Sequence, residues 1–421
     1  MKDETKCLHA GYTPGNAQPR VVPIVQSTTY VYDSTEEVAS VFDEPTKSLI
    51  YSRFANPTVM AVEEKIAALE GGIAAMCTSS GQAATLLSLL NICSAGDSVI
   101  STTAIYGGTV NLFSVTLKRL GIECIYVDQN ADEEAIHAAF RSNTRAVFGE
   151  TIANPALKVL DIEKFARIAH AHNVPLIIDN TFATPILCKP IEFGADIVIH
   201  STSKYLDGHA VQVGGVIVDS GKFDWEKGGF TDITGPDASY HGISYTETYG
   251  KAAYIIKARM QLMRDFGVYP AAHSAFLLNL GLETLAVRMK QYCENAIKVA
   301  EYLKASDCVE KIVYPGLPDD EGYALAQKYL KGASGVISFS LKGGKENAVR
   351  FMNALQLASN QVHVADIRTC VLHPASETHR QLTDEQLAAC GIDPGMVRFS
   401  VGLEHIDDIL SDIEIGLAAA R

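Results

Sequence analysis

Long apolar runs are missing from this 421-residue chain: no stretch approaches the roughly 18 uninterrupted apolar residues of a membrane span, so no membrane embedding is expected. The first ten residues, MKDETKCLHA, carry no apolar core of a signal peptide. The nine cysteines (Cys7, Cys77, Cys93, Cys124, Cys188, Cys293, Cys308, Cys370 and Cys390) are odd in number, scattered, and contain no Cys-x-x-Cys pair. That argues against a disulfide frame or a thiolate zinc site and points to reduced thiols in a cytoplasmic protein. Positive charge is in deficit, with 35 Lys and Arg against 49 Asp and Glu and a net charge of −14. Binding to nucleic acid or to an anionic membrane is therefore not expected, although a local cationic pocket can sit on an acidic surface. The chain has no G-x-x-x-x-G-K-[ST], no G-x-G-x-x-G after a strand, no H-E-x-x-H and no G-x-S-x-G. Nucleoside triphosphate binding, a dinucleotide-dependent oxidoreductase, a metal site and a serine hydrolase each lose their usual support.

What is present is ordinary folded-protein composition, 47% apolar and 20% charged, in a length that suits two or three domains of roughly 150 residues. Residues 1–60 are punctuated by prolines and predict an extended arm. From residue 61 to about 260, apolar strand-like runs at 97–102, 122–128, 145–150, 174–180, 196–201 and 214–219 alternate with helix-like segments. Strands apolar on both faces, separated by helices of 10–15 residues, predict an α/β domain with a mostly parallel sheet flanked by helices. Residues 222–250 break the rhythm and read as an irregular excursion. Residues 261–421 begin with long helical signal at 271–305 and predict a smaller α+β domain, with strands at 335–341 and 397–403.

In an open parallel sheet, ligands sit beyond the carboxyl ends of the strands. The residues there are rich in chemistry: Glu150 followed by Asn154 and Pro155, Asp179, and Ser201-Thr202-Ser203-Lys204. A carboxylate at one strand end and an amine 25 residues later can face each other across a planar ring. Pyridoxal phosphate needs that pair, a lysine for its aldehyde and an anion for its ring nitrogen. Spacing alone leaves Asp179 equally a strand-end cap, and taken alone Lys204 reads first as a surface lysine. Ser79-Ser80-Gly81-Gln82, just before a helix, offers unpaired N–H groups and close backbone approach to a phosphate, and is equally an ordinary N-cap.

The ordered series of motifs resembles the cystathionine γ-synthase-like (Cys/Met metabolism) family of pyridoxal-phosphate enzymes. Tyr51-Ser52-Arg53 through Asn56-Pro57-Thr58, Ser80-Gly81, Tyr106-Gly107, Glu150 to Pro155, Asp179-Asn180-Thr181, His200 to Tyr205, His373 to His379, and Arg398 to Glu404 all match its pattern. The resemblance implies an aspartate-aminotransferase-like (type I) fold and pyridoxal 5′-phosphate as cofactor. It implies Lys204 as the Schiff-base lysine and proton shuttle, Asp179 on the pyridine nitrogen, Tyr106 stacked on the ring and Asn154 on the ring hydroxyl. Ser80, Gly81, Gln82, Ser201 and Ser203 would hold the phosphate, joined by Tyr51 and Arg53 from a neighbouring subunit. Arg398, with Ser359 and Tyr51, would bind the substrate α-carboxylate, in a homo-oligomer that is usually a tetramer of two tight dimers.

Within the family, the stretch 228–245 is similar to an insertion of the O-acetylhomoserine sulfhydrylases, and Gly108 stands where methionine γ-lyases often carry Cys. The resemblance thus implies γ-replacement on O-acetyl-L-homoserine, with sulfide giving L-homocysteine and acetate, or methanethiol giving methionine. Elimination from methionine or cystathionine, and cystathionine-forming replacement, are the alternatives. Gln82, Ala365 and the stretch Tyr205 to Gln212 depart from forms common elsewhere in the family.

Overall fold

The apolar runs build a seven-stranded sheet from β1 (Ala74–Thr78), β2 (Ser98–Thr102), β3 (Glu123–Val127), β4 (Thr144–Glu150), β5 (Leu176–Asp179), β6 (Ile197–Ser201) and β7 (Gly215–Asp219). The structure is a computed structural model that describes residues 1–43, 49–377, 380, 387 and 392–421. Strand order is β1-β7-β6-β5-β4-β2-β3, and β7 runs antiparallel to both of its neighbours while the other pairs are parallel. Successive side chains of each strand enter different cores. Leu176, Ile178 and Val198 pack on one face, and Ile177, Ile197 and Ile199 on the other. Two-sided burial explains why these strands read as unbroken apolar runs rather than alternating ones.

Helix ends follow their local chemistry. Pro57–Glu70 starts on Asn56, whose side chain accepts from the Thr58 N–H, and stops at Gly71 with φ of 79°. Ile162–Ala171 starts on Asp161, which accepts from Lys164 N–H. The helical signal at 271–305 divides at Thr284 into Ala272–Glu283 and Leu285–Lys304. A second, five-stranded sheet comprises β8 (Val309–Val313), β9 (Val336–Leu341), β10 (Ser359–Asn360), β11 (Cys370–Leu372) and β12 (Met396–Ser400), ordered β10-β11-β12-β9-β8. It has its own core, including Ile337, Phe339, Phe351 and Phe399.

Two features depart from the sequence reading. Strand β1 was not expected: Ala-Ala-Met-Cys-Thr is short, low in β-branched residues, and takes its conformation from pairing with all five residues of β7. The arm is not wholly extended. Asp3–His9 is a helix that buries Cys7 in the same core as Val62 and Ile66, and Thr35–Asp43 is a second helix. Seven residues are too few to display a helical period. The excursion at 222–250 is irregular but anchored, with Trp225, Phe230, Ile233 and Tyr245 buried and Trp225 stacked on Tyr254 at 5.1 Å. Thr378 and His379 of the HPAS-x-TH motif lie outside the described residues.

Candidate active site

The parallel strands deliver their carboxyl ends to one rim. Glu150 and Asp179 are register partners at the ends of β4 and β5, and β6 ends beside them at Ser201. The turn after β1 brings Ser80 and Gly81 to the same rim, because Thr78 pairs with Gly215 and Gly215 with Ser201. The result is a cleft of about 330 Å³, a size suited to a small cofactor with its substrate. Ser80, Gly81, Gln82, Tyr106, Asn154, Asp179, Ser201, Ser203, Lys204 and Arg398 all line it. Arg398 arrives from the other sheet. It sits at the middle of β12 and donates to Asn154 Oδ1 at 3.2 Å, crossing from the five-stranded sheet to the loop after β4 of the seven-stranded one.

Each group is held by identifiable contacts. Asp179 Oδ1 accepts from the Thr181 N–H at 3.0 Å and the Thr181 hydroxyl at 2.5 Å, and Oδ2 has no hydrogen-bond partner among the described residues. Burial raises the Asp179 carboxyl above its usual range, opposed by the Thr181 hydrogen bonds. Glu150 is raised further, by burial and then by the neighbouring Asp179. Its two oxygens accept from the backbone N–H of Tyr106 at 2.6 Å and of Asn154 at 3.1 Å, so it clamps both loops that carry those side chains. Lys204 is pulled down to about 8 by burial and by the Arg398 guanidinium, and its Nζ lies 3.2 Å from His363 Nδ1. Burial brings Arg398 itself to about 10. Tyr106 is 42% exposed, which leaves its ring free to meet a ligand.

Ser359, Tyr51 and Arg53 are not brought to this cleft by the single chain. Ser359 is exposed on β10, paired with Cys370, while Tyr51 and Arg53 sit on the arm. The Arg53 guanidinium lies 5.4 Å from the Tyr51 ring centroid, and its Nε is buried without a hydrogen-bond partner among the described residues. Two other motif residues serve the frame instead of the cleft. His200 Nε2 and Asn180 Nδ2 meet Glu70 Oε1 at 2.6 and 2.9 Å in a fully buried network behind β5 and β6. The sequence reading passed over His363, Val213, Val362 and Phe182, which line the cleft. A lone imidazole inside the run Val362-His363-Val364 was the available signal for the first of these.

The residues fit pyridoxal phosphate. Ser80 caps the helix Gly81–Leu90 by accepting from Ala83 N–H, and the first amides of that helix have no intrahelical partner. A Cβ on Gly81 would stand 2.6 Å from Ser201 Cβ, so glycine is what lets the turn and the Ser201 hydroxyl close around a phosphate. Gly81→Ala is expected to weaken cofactor retention at least about tenfold, measured by absorbance after dialysis. Gly108 is similarly constrained. A Cβ there would lie 2.4 Å from the Tyr106 ring, so any larger residue moves that ring.

A lysine, a strand-end carboxylate and a helix-start anion cradle on a type I scaffold define a pyridoxal-phosphate enzyme. The chain belongs to the Cys/Met metabolism PLP-dependent enzyme family, whose model matches residues 4–418. It is 44% identical to the O-acetyl-L-homoserine sulfhydrylase of Leptospira meyeri over 99% of this chain and 97% of that protein. It is 45% identical to the homocysteine synthase of Schizosaccharomyces pombe over 99% and 98%. Its structure resembles a crystal structure from Campylobacter jejuni, of a protein assigned as an O-acetylhomoserine (thiol)-lyase and carrying N′-pyridoxyl-lysine-5′-monophosphate. The TM-score is 0.95 with 35% identity, over 99% of this chain and 100% of that one.

Proposed function

We propose that the chain catalyses γ-replacement on O-acetyl-L-homoserine, exchanging acetate for sulfide to give L-homocysteine; methanethiol in place of sulfide gives methionine. The observation that carries this reading is the convergence of Lys204, Asp179 and Arg398 in one cleft of a chain that matches a sulfhydrylase along nearly its full length. Bound pyridoxal phosphate supplies a planar electron sink. Asp179, with Oδ2 free among the described residues, would keep a proton on the ring nitrogen. Ser80, Gly81, Gln82, Ser201 and Ser203 take the phosphate, and Asn154, whose Oδ1 is occupied by Arg398, has its Nδ2 left to donate to the ring hydroxyl. Lys204 Nζ, more easily freed of its proton than an ordinary lysine, takes protons from Cα and then Cβ and returns them. Tyr106, on the cleft wall, would cover the ring and pass a proton to the departing oxygen. The Cγ–O bond breaks with loss of acetate, and a Cγ–S bond forms on the same carbon.

Arg398 takes the substrate α-carboxylate as a two-pronged donor. Arg398→Lys is expected to raise KM for the amino acid by about 10- to 100-fold, the equivalent of ~1.5–3 kcal/mol of charge-assisted hydrogen bonding. Steady-state kinetics check it. A KM within twofold of the parent removes Arg398 from this role.

Tyr51 and Arg53 of a second copy complete the phosphate site, in a homotetramer of two tight dimers. Support comes from the Arg53 Nε left without a partner among the described residues, the lack of arm residues in the lining of the chain's own cleft, and exposed apolar residues along the arm, Val31 at 98% and Phe42 at 61%. The eight described cysteines are all free thiols, in keeping with a cytoplasmic setting. No helix among the described residues is long and apolar enough to cross a membrane.

Purified holoenzyme given O-acetylhomoserine and sulfide is expected to release homocysteine. Release of 2-oxobutyrate and ammonia alone, or their robust formation from methionine without a nucleophile, would place the chain among the lyases.

A further inference from the structure

Lys204 Nζ has one side-chain neighbour within hydrogen-bond distance among the described residues, and it is an imidazole: His363 Nδ1, at 3.2 Å. We infer that His363 is a positioning residue for Lys204, a neutral hydrogen-bond acceptor that holds the amine at the cleft wall whenever that amine is free. The inference rests on the reading of Lys204 as the cofactor lysine and base.

The donor and acceptor roles are set by chemistry. In its ammonium form the lysine has hydrogens and no lone pair, so toward that form Nδ1 accepts and the ring hydrogen stands on Nε2. The ring is kept neutral by what surrounds it. Lys204 lies after β6, Arg398 on β12 and Arg368 on the segment between β10 and β11, while Asp366 supplies the opposing carboxylate. Burial and these cations bring His363 down to about 4, so the imidazole accepts a hydrogen bond from the lysine without repelling it. It is also too weak a base to strip the lysine of its proton, which separates holding the amine from competing with it. The backbone beneath the ring is pinned as well. Arg398 donates to the carbonyl oxygens of His363 at 2.9 Å and Val362 at 3.3 Å, and Cys370 Sγ lies 3.6 Å from the same His363 carbonyl. One residue thus touches both cations of the cleft, through its side chain and through its main chain.

The consequence is kinetic. A released lysine side chain has four rotatable bonds, and its Nζ has to serve two adjacent carbons in turn. A fixed acceptor on the wall narrows the volume that Nζ explores between those transfers. Asparagine, glutamine or serine in this position can accept a hydrogen bond, whereas leucine cannot.

The test uses holoenzyme and L-norvaline, an amino acid with no leaving group on Cγ, and does not require turnover. Absorbance titration gives its dissociation constant, and proton NMR in D₂O gives the exchange rate of its Cα hydrogen at saturation across pH. For His363→Leu, saturated exchange is expected to fall about tenfold. Its acid limb is expected to move about one unit to lower pH, because a neutral acceptor favours the ammonium form and its loss frees the amine. His363→Gln is expected to restore both. An unmoved rate and acid limb in the leucine variant, or a glutamine variant no better than leucine, overturns the inference. Borohydride reduction of the parent separates the two levels: a label away from residue 204 sinks the underlying reading, and a label on Lys204 beside an unaffected leucine variant sinks only this one.

Discussion

Lys204→Ala is expected to cut kcat by about 10⁴-fold, the upper range for loss of a positioned general base, with the protein still folded. The backbone of residue 204 is held independently of its side chain, with its N–H donating to the Ser201 carbonyl at 3.4 Å and its carbonyl accepting from Gly208 N–H at 2.7 Å. Among the described residues the side chain makes a single hydrogen bond, to His363 Nδ1, so truncation unpairs one acceptor on the cleft wall and takes no partner from the surrounding frame. Far-UV circular dichroism should match the parent while homocysteine release from O-acetylhomoserine and sulfide disappears. Residual turnover within tenfold of the parent would mean that another group moves the Cα proton.

Asp179→Asn is expected to cost about 10²–10³-fold in kcat, the scale of removing one preorganised electrostatic partner from a water-poor site. The substitution keeps the shape, since the amide oxygen can still accept from the Thr181 N–H and hydroxyl that now meet Oδ1. What changes is the other atom. An acceptor becomes an N–H donor, and the ring nitrogen loses the anion that keeps it protonated. Glu150 cannot take over, because both of its oxygens already serve the backbone of Tyr106 and Asn154. Measured kcat together with the cofactor spectrum distinguishes this from simple cofactor loss: the variant should stay yellow and turn over slowly.

Much of the site was legible because strand ends announce themselves. The runs ending in Glu150, Asp179 and Ser201 are apolar on both faces and stop on polar residues, so their carboxyl ends could be read directly, and the motif series then supplied roles for the residues there. Pattern could not single out Arg398 in the same way. It lies inside a strand of the small sheet, paired with Ser338 and Leu372, and only the family motif picked it out before the structure showed it crossing to Asn154. His363 escaped both routes. It belongs to no periodic element, and its meaning comes from a lysine 159 residues away. Strand β1 and the first helix were lost for a third reason, that each owes its conformation to a partner rather than to its own five or seven residues.

Reduction of the yellow holoenzyme with borohydride, followed by peptide mass mapping, tests the central claim most directly. The account requires one pyridoxyl-phosphate adduct per chain, on the peptide containing Lys204. An adduct on another lysine, or a vitamin-replete protein with no chromophore to reduce, would contradict it.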